Sequence, residues 1–235
     1  MKTIKATLRV AFFVLGLLSL SCRQEETPYA TTPIPVAPVF TAGDVFFYDA
    51  LLTDEYGYPI YSSRSKAQWK VLSTGIPVPG IGVGTVLVDS ASVLRDSSSV
   101  FDTVTVAVAP NGDIYRHGFL ATLARIRKLA ALPESWDRIA AVSTGSNRSF
   151  FVGYLDTART EKVYGLITGT PDMYAVKVKG QQKVIPAYRV EIAGPRMRYT
   201  FWLADDPTAF PVIWLEPDDG FGGTELTLTE IRAGG

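Results

Sequence analysis

From Phe40 onward, apolar and polar residues alternate along most of the chain, the period-2 pattern of strands buried on one face. Val104, Val106 and Val108 fall on one side, with Thr103, Thr105 and Ala107 on the other. Pro110-Asn111-Gly112-Asp113 follows. Asn and Gly both tolerate positive φ, so this spacing predicts a type I′ hairpin with a return strand over Asp113 to Arg116. Further on, Val176 and Val178 alternate with Lys177 and Lys179, and Gly180-Gln181 reads as a turn. Val184, Pro186, Tyr188, Val190 and Ile192 line one face against Arg189 and Glu191. After Gly194-Pro195, Met197, Tyr199, Phe201 and Leu203 point one way, and Arg196, Arg198, Thr200 and Trp202 the other. A run from Phe210 to Leu215, the turn Pro217-Asp218-Asp219-Gly220 and a strand carrying Leu226 and Leu228 complete the series. One segment differs: Phe119, Leu123, Ile126 and Ala130 recur at helical spacing, which predicts about three turns of helix ended by Pro133. The expected fold is all-β with minor α: a curved antiparallel sheet or half-barrel with one short helix, forming a single domain over residues 40–235.

Before that domain the pattern changes. Lys2, Lys5 and Arg9 precede an apolar stretch of about eleven residues from Val10 to Leu20, too short to span a bilayer, and Ser21-Cys22 follows. This layout resembles a bacterial lipoprotein signal. The resemblance implies cleavage after residue 21 and lipidation of Cys22, with palmitate among the chains added. Ser19 stands three residues before the cysteine where the family usually has leucine. Arg23-Gln24-Glu25-Glu26 resembles the acidic signal that routes lipoproteins of the Bacteroidota to the cell surface. Residues 22–39, with Pro28, Pro33, Pro35 and Pro38, read as an extended tether. At about 3.1 Å per residue its proline-rich part reaches roughly 40 Å.

Composition narrows the chemistry. The 235 residues are 47% hydrophobic and 20% charged, with 23 basic and 23 acidic side chains. Without residues 1–21, which hold three of the basic ones, the balance is slightly acidic. No basic stripe points to nucleic acid or to anionic lipid. Cys22 is the only cysteine and His117 the only histidine, so neither a disulfide within the chain nor a multi-histidine metal site can form. No metal or cofactor is expected.

Residues 184–231 carry a second resemblance. Two strands lead into Phe201-Trp202-Leu203-Ala204-Asp205-Asp206, then Phe210-Pro211-Val212, a Gly-rich turn and a leucine-alternating strand. This stretch is similar to the C-terminal part of bacterial envelope proteins with a LolA-like half-barrel; Leu132-Pro133-Glu134-Ser135-Trp136 fits more weakly. The resemblance implies a curved sheet around helix and loop, leaving a cavity for lipid, an acyl chain or another apolar ligand.

Motifs with catalytic potential give way to plainer readings. A Ser-His-Asp hydrolase would need His117 as its base, and no G-x-S-x-G elbow accompanies it. Gly80, Gly82 and Gly84 lack phosphate-loop spacing and lead into a strand. Asp205-Asp206 and Asp218-Asp219 sit at turns, where Asp bonds its own backbone. Trp69, Trp136, Trp202 and Trp214 are core or cavity aromatics. The ligand-contacting set expected from the pattern is Tyr188, Tyr199, Phe201, Trp202 and Trp214. The functional expectation is a non-enzymatic protein, lipid-anchored at the outer membrane on its periplasmic or cell-surface side. It would bind an apolar ligand or lipid in a pocket of several hundred Å³, or assist envelope assembly. The alternatives are a structural or adhesive surface module that contacts partner proteins, and a hydrolase centred on His117.

Overall fold

The computed structural model describes residues 39–54, 58–91, 100–126, 128–195, 197–206, 213–215 and 224–234. Cys22, the tether, Phe210 to Val212, Asp218 and Asp219 lie outside the described residues. Strands β1 (Val45–Thr53), β2 (Pro59–Val78), β3 (Gly82–Ala91), β4 (Val100–Val108) and β5 (Ile114–His117) form an antiparallel meander, which β6 (Trp136–Ala140) continues. On the other edge of β1 stands β13 (Thr224–Arg232), followed outward by β12 (Ile213–Leu215), β11 (Met197–Ala204), β10 (Gln181–Gly194), β8 (Lys162–Ile167) and β7 (Ser149–Tyr154). The two ends of this ladder, β6 and β7, lie side by side. The sheet therefore curls almost closed, and the fold is all-β with one short helix among the described residues, as the alternation requires.

The inward side chains fill the interior. Phe46, Tyr48 and Ala50 of β1, Ala67, Trp69 and Val71 of β2, and Leu226 and Leu228 of β13 are all buried. On the far wall Tyr199, Phe201 and Leu203 of β11 face the same way as their partners Ile192, Val190 and Tyr188 on β10. The helix α1 (Phe119–Ile126) plugs the space between, with the Phe119 ring edge-on to Tyr199 at 5.1 Å. It spans about two turns rather than three. Lys128 adopts φ 53, and the Leu129 N–H donates to the Ala124 carbonyl, so a left-handed residue ends the helix well before Pro133.

A second enclosure is built from the same strands. The strand β9 (Asp172–Val178) pairs antiparallel with the first half of β10, Asp172 opposite Ala187 and Val178 opposite Gln181. It also pairs parallel with the end of β13. Together with the β10–β11, β11–β12 and β12–β13 ladders this closes a hydrogen-bonded ring of five strands. Met173, Ala175 and Lys177 are exposed while Val176 and Val178 are buried and Tyr174 half-buried, so the latter three point into the ring. By register Ile185, Ala187, Ala204 and Trp202 share that inner face.

The ring corrects the single-face reading of β10. Tyr188, Val190 and Ile192 do face the large interior, but Val184 is 63% exposed and Pro186 half-buried, while Ile185 and Ala187 are buried instead. Beyond the point where β8 gives way to β9 as its neighbour, the strand buries its opposite face. The turns shift too. At Ala109–Asp113 only Gly112 has positive φ, and its N–H donates to Ala109 O, so this hairpin carries a glycine bulge rather than a type I′ turn. The type I′ pattern, positive φ at two successive central residues, falls at Lys179-Gly180, one residue earlier than the turn expected there.

Candidate functional site

A cleft of about 360 Å³ opens between the start of α1, the segment leading into β6, and the loop that joins β7 to β8. Its apolar wall is Leu120, Leu132, Pro133 and Tyr154. Gly153 shapes the floor, because a Cβ there would collide with Leu120 Cδ1. Ser135, Asp137, Asp156, Thr157 and Arg159 supply the polar part.

Asp137 anchors the site from below. It is buried on β6, its Oδ2 accepts the Leu120 N–H at 2.8 Å, and its Oδ1 accepts the Ser135 hydroxyl at 2.8 Å. The carboxylate thus satisfies a backbone donor that the first turn of α1 would otherwise leave bare. Burial pushes its carboxyl above the usual aspartate range, and the bonds from Leu120 and Ser135 and the neighbouring His117 pull the other way. Asp156 does a similar task in the open. Its Oδ1 accepts the N–H groups of Thr160 and Glu161, and its Oδ2 accepts the Thr160 hydroxyl at 2.6 Å. These bonds, led by the hydroxyl, hold its carboxyl below the usual range. They fold residues 156–161 into a tight loop in which Arg159 takes φ 57 and its N–H donates to Asp156 O. Arg159 is exposed at the cleft rim, and among the described residues no carboxylate pairs with its guanidinium.

His117 stands at the junction of β5 and α1. Its Nδ1 lies 3.6 Å from Glu134 Oε2, and its ring meets Trp136 edge-on at 5.2 Å. The nearby Ser135 commits its one hydroxyl proton to Asp137. The Gly80–Gly84 stretch is the β2–β3 hairpin, with Ile81 N–H donating to Val78 O. Asp206 pairs with Lys183 at 3.9 Å, and the Asp205 N–H donates to Pro186 O. Among the described residues no group of three or more His, Cys, Asp or Glu is placed to hold a metal ion.

The aromatics expected to contact a ligand are divided between environments. Tyr199 and Phe201 are fully buried in the large interior, and Tyr188 is half-buried on the same face, where burial and then the Asp205 charge push its hydroxyl up. Trp202 points into the ring, its Nε1–H donating to Asp172 Oδ2 at 2.7 Å. Trp214 pairs through its backbone with Phe201 and Leu226, and its side chain lies outside the described residues. None of the other four lines the cleft. Sequence reasoning missed the cleft because its polar residues lie in a short strand and a loop with no long periodicity. The legible clue was local: Asp156 with Thr160 four residues on, a side-chain-built turn.

These features define an all-β protein whose curved sheet nearly closes on a short helix, with a small strand ring on one flank and an open cleft beside the helix. No protein-family model and no curated protein matches the sequence. Two solved structures are similar to it. One is a candidate lipoprotein from Parabacteroides distasonis, 11% identical with a TM-score of 0.39, matched over 82% of this chain and 96% of its own. The other is a candidate exported protein with a YmcC-like fold from Bacteroides fragilis, 10% identical with a TM-score of 0.41, matched over 83% of this chain and 98% of its own.

Proposed function

We propose that the protein is a non-enzymatic, lipid-anchored protein of the bacterial outer membrane whose β-domain binds an apolar ligand or lipid in the manner of LolA-like proteins. The observation that carries this reading is Cys22, the only cysteine, standing directly after a basic segment and a short apolar run. Two or more acyl chains there hold a protein stably, because each buried CH₂ contributes about 0.8 kcal/mol. The cleft beside α1 supports the ligand half of the reading: its volume falls at the lower end of the roughly 300–1,000 Å³ typical of small-molecule sites.

Metabolic labelling with radioactive palmitate tests the anchor. The wild-type chain should incorporate label and fractionate with outer membranes, and a Cys22→Ala variant should lose both properties. An unlabelled wild type, or a variant that stays equally membrane-bound, removes the foundation of the reading. Native mass spectrometry of the protein from its own host addresses the ligand, which should co-purify as a defined added mass. A second reading, a surface module that contacts partner proteins, draws on Tyr58 and Tyr61, which are 70% and 74% exposed near the start of β2. It predicts capture of a specific protein that is lost in a Tyr58→Ser, Tyr61→Ser double variant.

A further inference from the structure

We infer that the cleft beside α1 selects a single-chain anionic amphiphile, whose head group meets Arg159 and whose tail lies along Leu120, Leu132, Pro133 and Tyr154. This rests on the reading of the domain as a binder of apolar ligands and specifies the ligand's charge, its chain number and its place.

The charge follows from the state of the polar lining. Asp137 and Asp156 are the carboxylates of the cleft, and each already accepts bonds from groups of its own fold: Leu120 and Ser135 for Asp137, Thr160 and Glu161 for Asp156. Among the described residues Arg159 is the lining's one cation, it is exposed, and no carboxylate pairs with it. Its backbone is fixed by the Asp156 loop, which sets the point on the rim from which its side chain extends. A guanidinium offers a planar fork of donors, which matches a carboxylate or phosphate head group. A cationic head would meet Arg159 with like charge, while Asp137 is buried beneath the cleft and the Asp156 oxygens are turned to the N–H groups and hydroxyl of their own loop.

The chain number follows from size and surroundings. A cleft of about 360 Å³ accommodates one chain, not two side by side. Its apolar wall also continues past Tyr154 over the outer face of β7 and β8. The Phe151 ring contacts Tyr154 at 5.1 Å and Tyr164 at 5.7 Å, and Phe151 and Tyr164 are 40% and 44% exposed. A tail longer than the cleft therefore has an aromatic surface to follow instead of entering water.

Photoreactive probes on the full chain in its own membrane test this. Diazirine-bearing decanoic acid and the matching uncharged decanol would be crosslinked and the labelled peptides mapped by mass spectrometry. Decanoate should label peptides bearing Leu132 and Tyr154, and it should do so more strongly than decanol. Arg159→Gln should lower decanoate labelling about tenfold and leave decanol labelling unchanged, the loss of one charge-assisted contact. Pro133→Glu, at an exposed position on the wall, should abolish decanoate labelling while decanol still reacts. Equal labelling by both probes with no effect of Arg159→Gln overturns the charge selection and leaves the apolar-ligand reading standing. No labelling of the cleft by either probe overturns both.

Discussion

Strands β10 and β11 divide two interiors that differ in kind. Toward α1 they present Ile192, Val190, Tyr199, Phe201 and Leu203, and this side is a broad apolar pack sealed by the helix. Toward the ring they present Ile185, Ala187, Ala204 and Trp202, smaller groups apart from the tryptophan, in a lumen that also holds Tyr174 and reaches the carboxylates of Asp172 and Glu225. The difference follows from size. A sheet of twelve strands bent around a helix encloses room for large side chains, whereas a ring of five leaves a bore that a few residues fill. Both interiors bury apolar groups, but the wide one packs large rings and branched chains, whereas the narrow one packs Val176, Val178, Ile185, Ala187 and Ala204 and adds backbone closure and the Trp202–Asp172 bond. The same strand pair therefore packs mostly large side chains at one face and, at the other, mostly small ones with a polar contact added.

Substitutions on the two faces of β11 sharpen this contrast, and the largest effect belongs to the wide interior. Phe201 has no exposed surface and packs near Tyr199 at 6.1 Å between centroids. Phe201→Ala should cost about 3–5 kcal/mol, read as a lower urea midpoint at unchanged slope. One residue along, Trp202→Phe keeps an aromatic ring in the bore and removes the N–H that bonds Asp172. Its cost should be about 1 kcal/mol, the scale of one partly solvated hydrogen bond. If the two variants lose equal stability, the ring interior is a core of the same kind as the other, and the contrast fails.

The alternation of Val104–Val106 and of Tyr199–Phe201–Leu203 was legible in the sequence because each of those strands keeps one face in one environment throughout. Val184 and Pro186 misled because β10 passes from one neighbour to another partway along, and no residue type in Val184-Ile185-Pro186-Ala187 marks the exchange. The helix could be read from Phe119 and Leu123, but its end could not: Lys128 in a left-handed conformation looks like any other lysine in a sequence. The cleft lay furthest from view. Its walls are brought together by the near-closure of β6 against β7, a contact between segments with no shared pattern, and Arg159 gains meaning only once the Asp156 loop has placed it.

The smallest effect is electrostatic and belongs to the ring. Burial, then the charges of Asp172 and Glu225, push the Tyr174 hydroxyl from 10.0 up to about 12. A group that holds its proton more tightly in the folded state makes folding proton-linked in the window between the two values. Below pH 10 the tyrosine is neutral whether the chain is folded or not, and its contribution is intact. From pH 10 to about 12 the unfolded chain ionises first, so stability falls as pH rises. The full rise would correspond to roughly 2.7 kcal/mol, and because Tyr174 keeps contact with solvent, screening reduces this to ~1 kcal/mol or less. Tyr174→Phe should therefore flatten the alkaline limb of the stability profile between pH 10 and 12, measured by urea unfolding against wild type, and leave the limb below pH 10 parallel. An alkaline limb that stays equally steep in the variant would mean that the lumen is wet enough to ionise a phenol freely, and the ring would then be a channel to solvent rather than an interior.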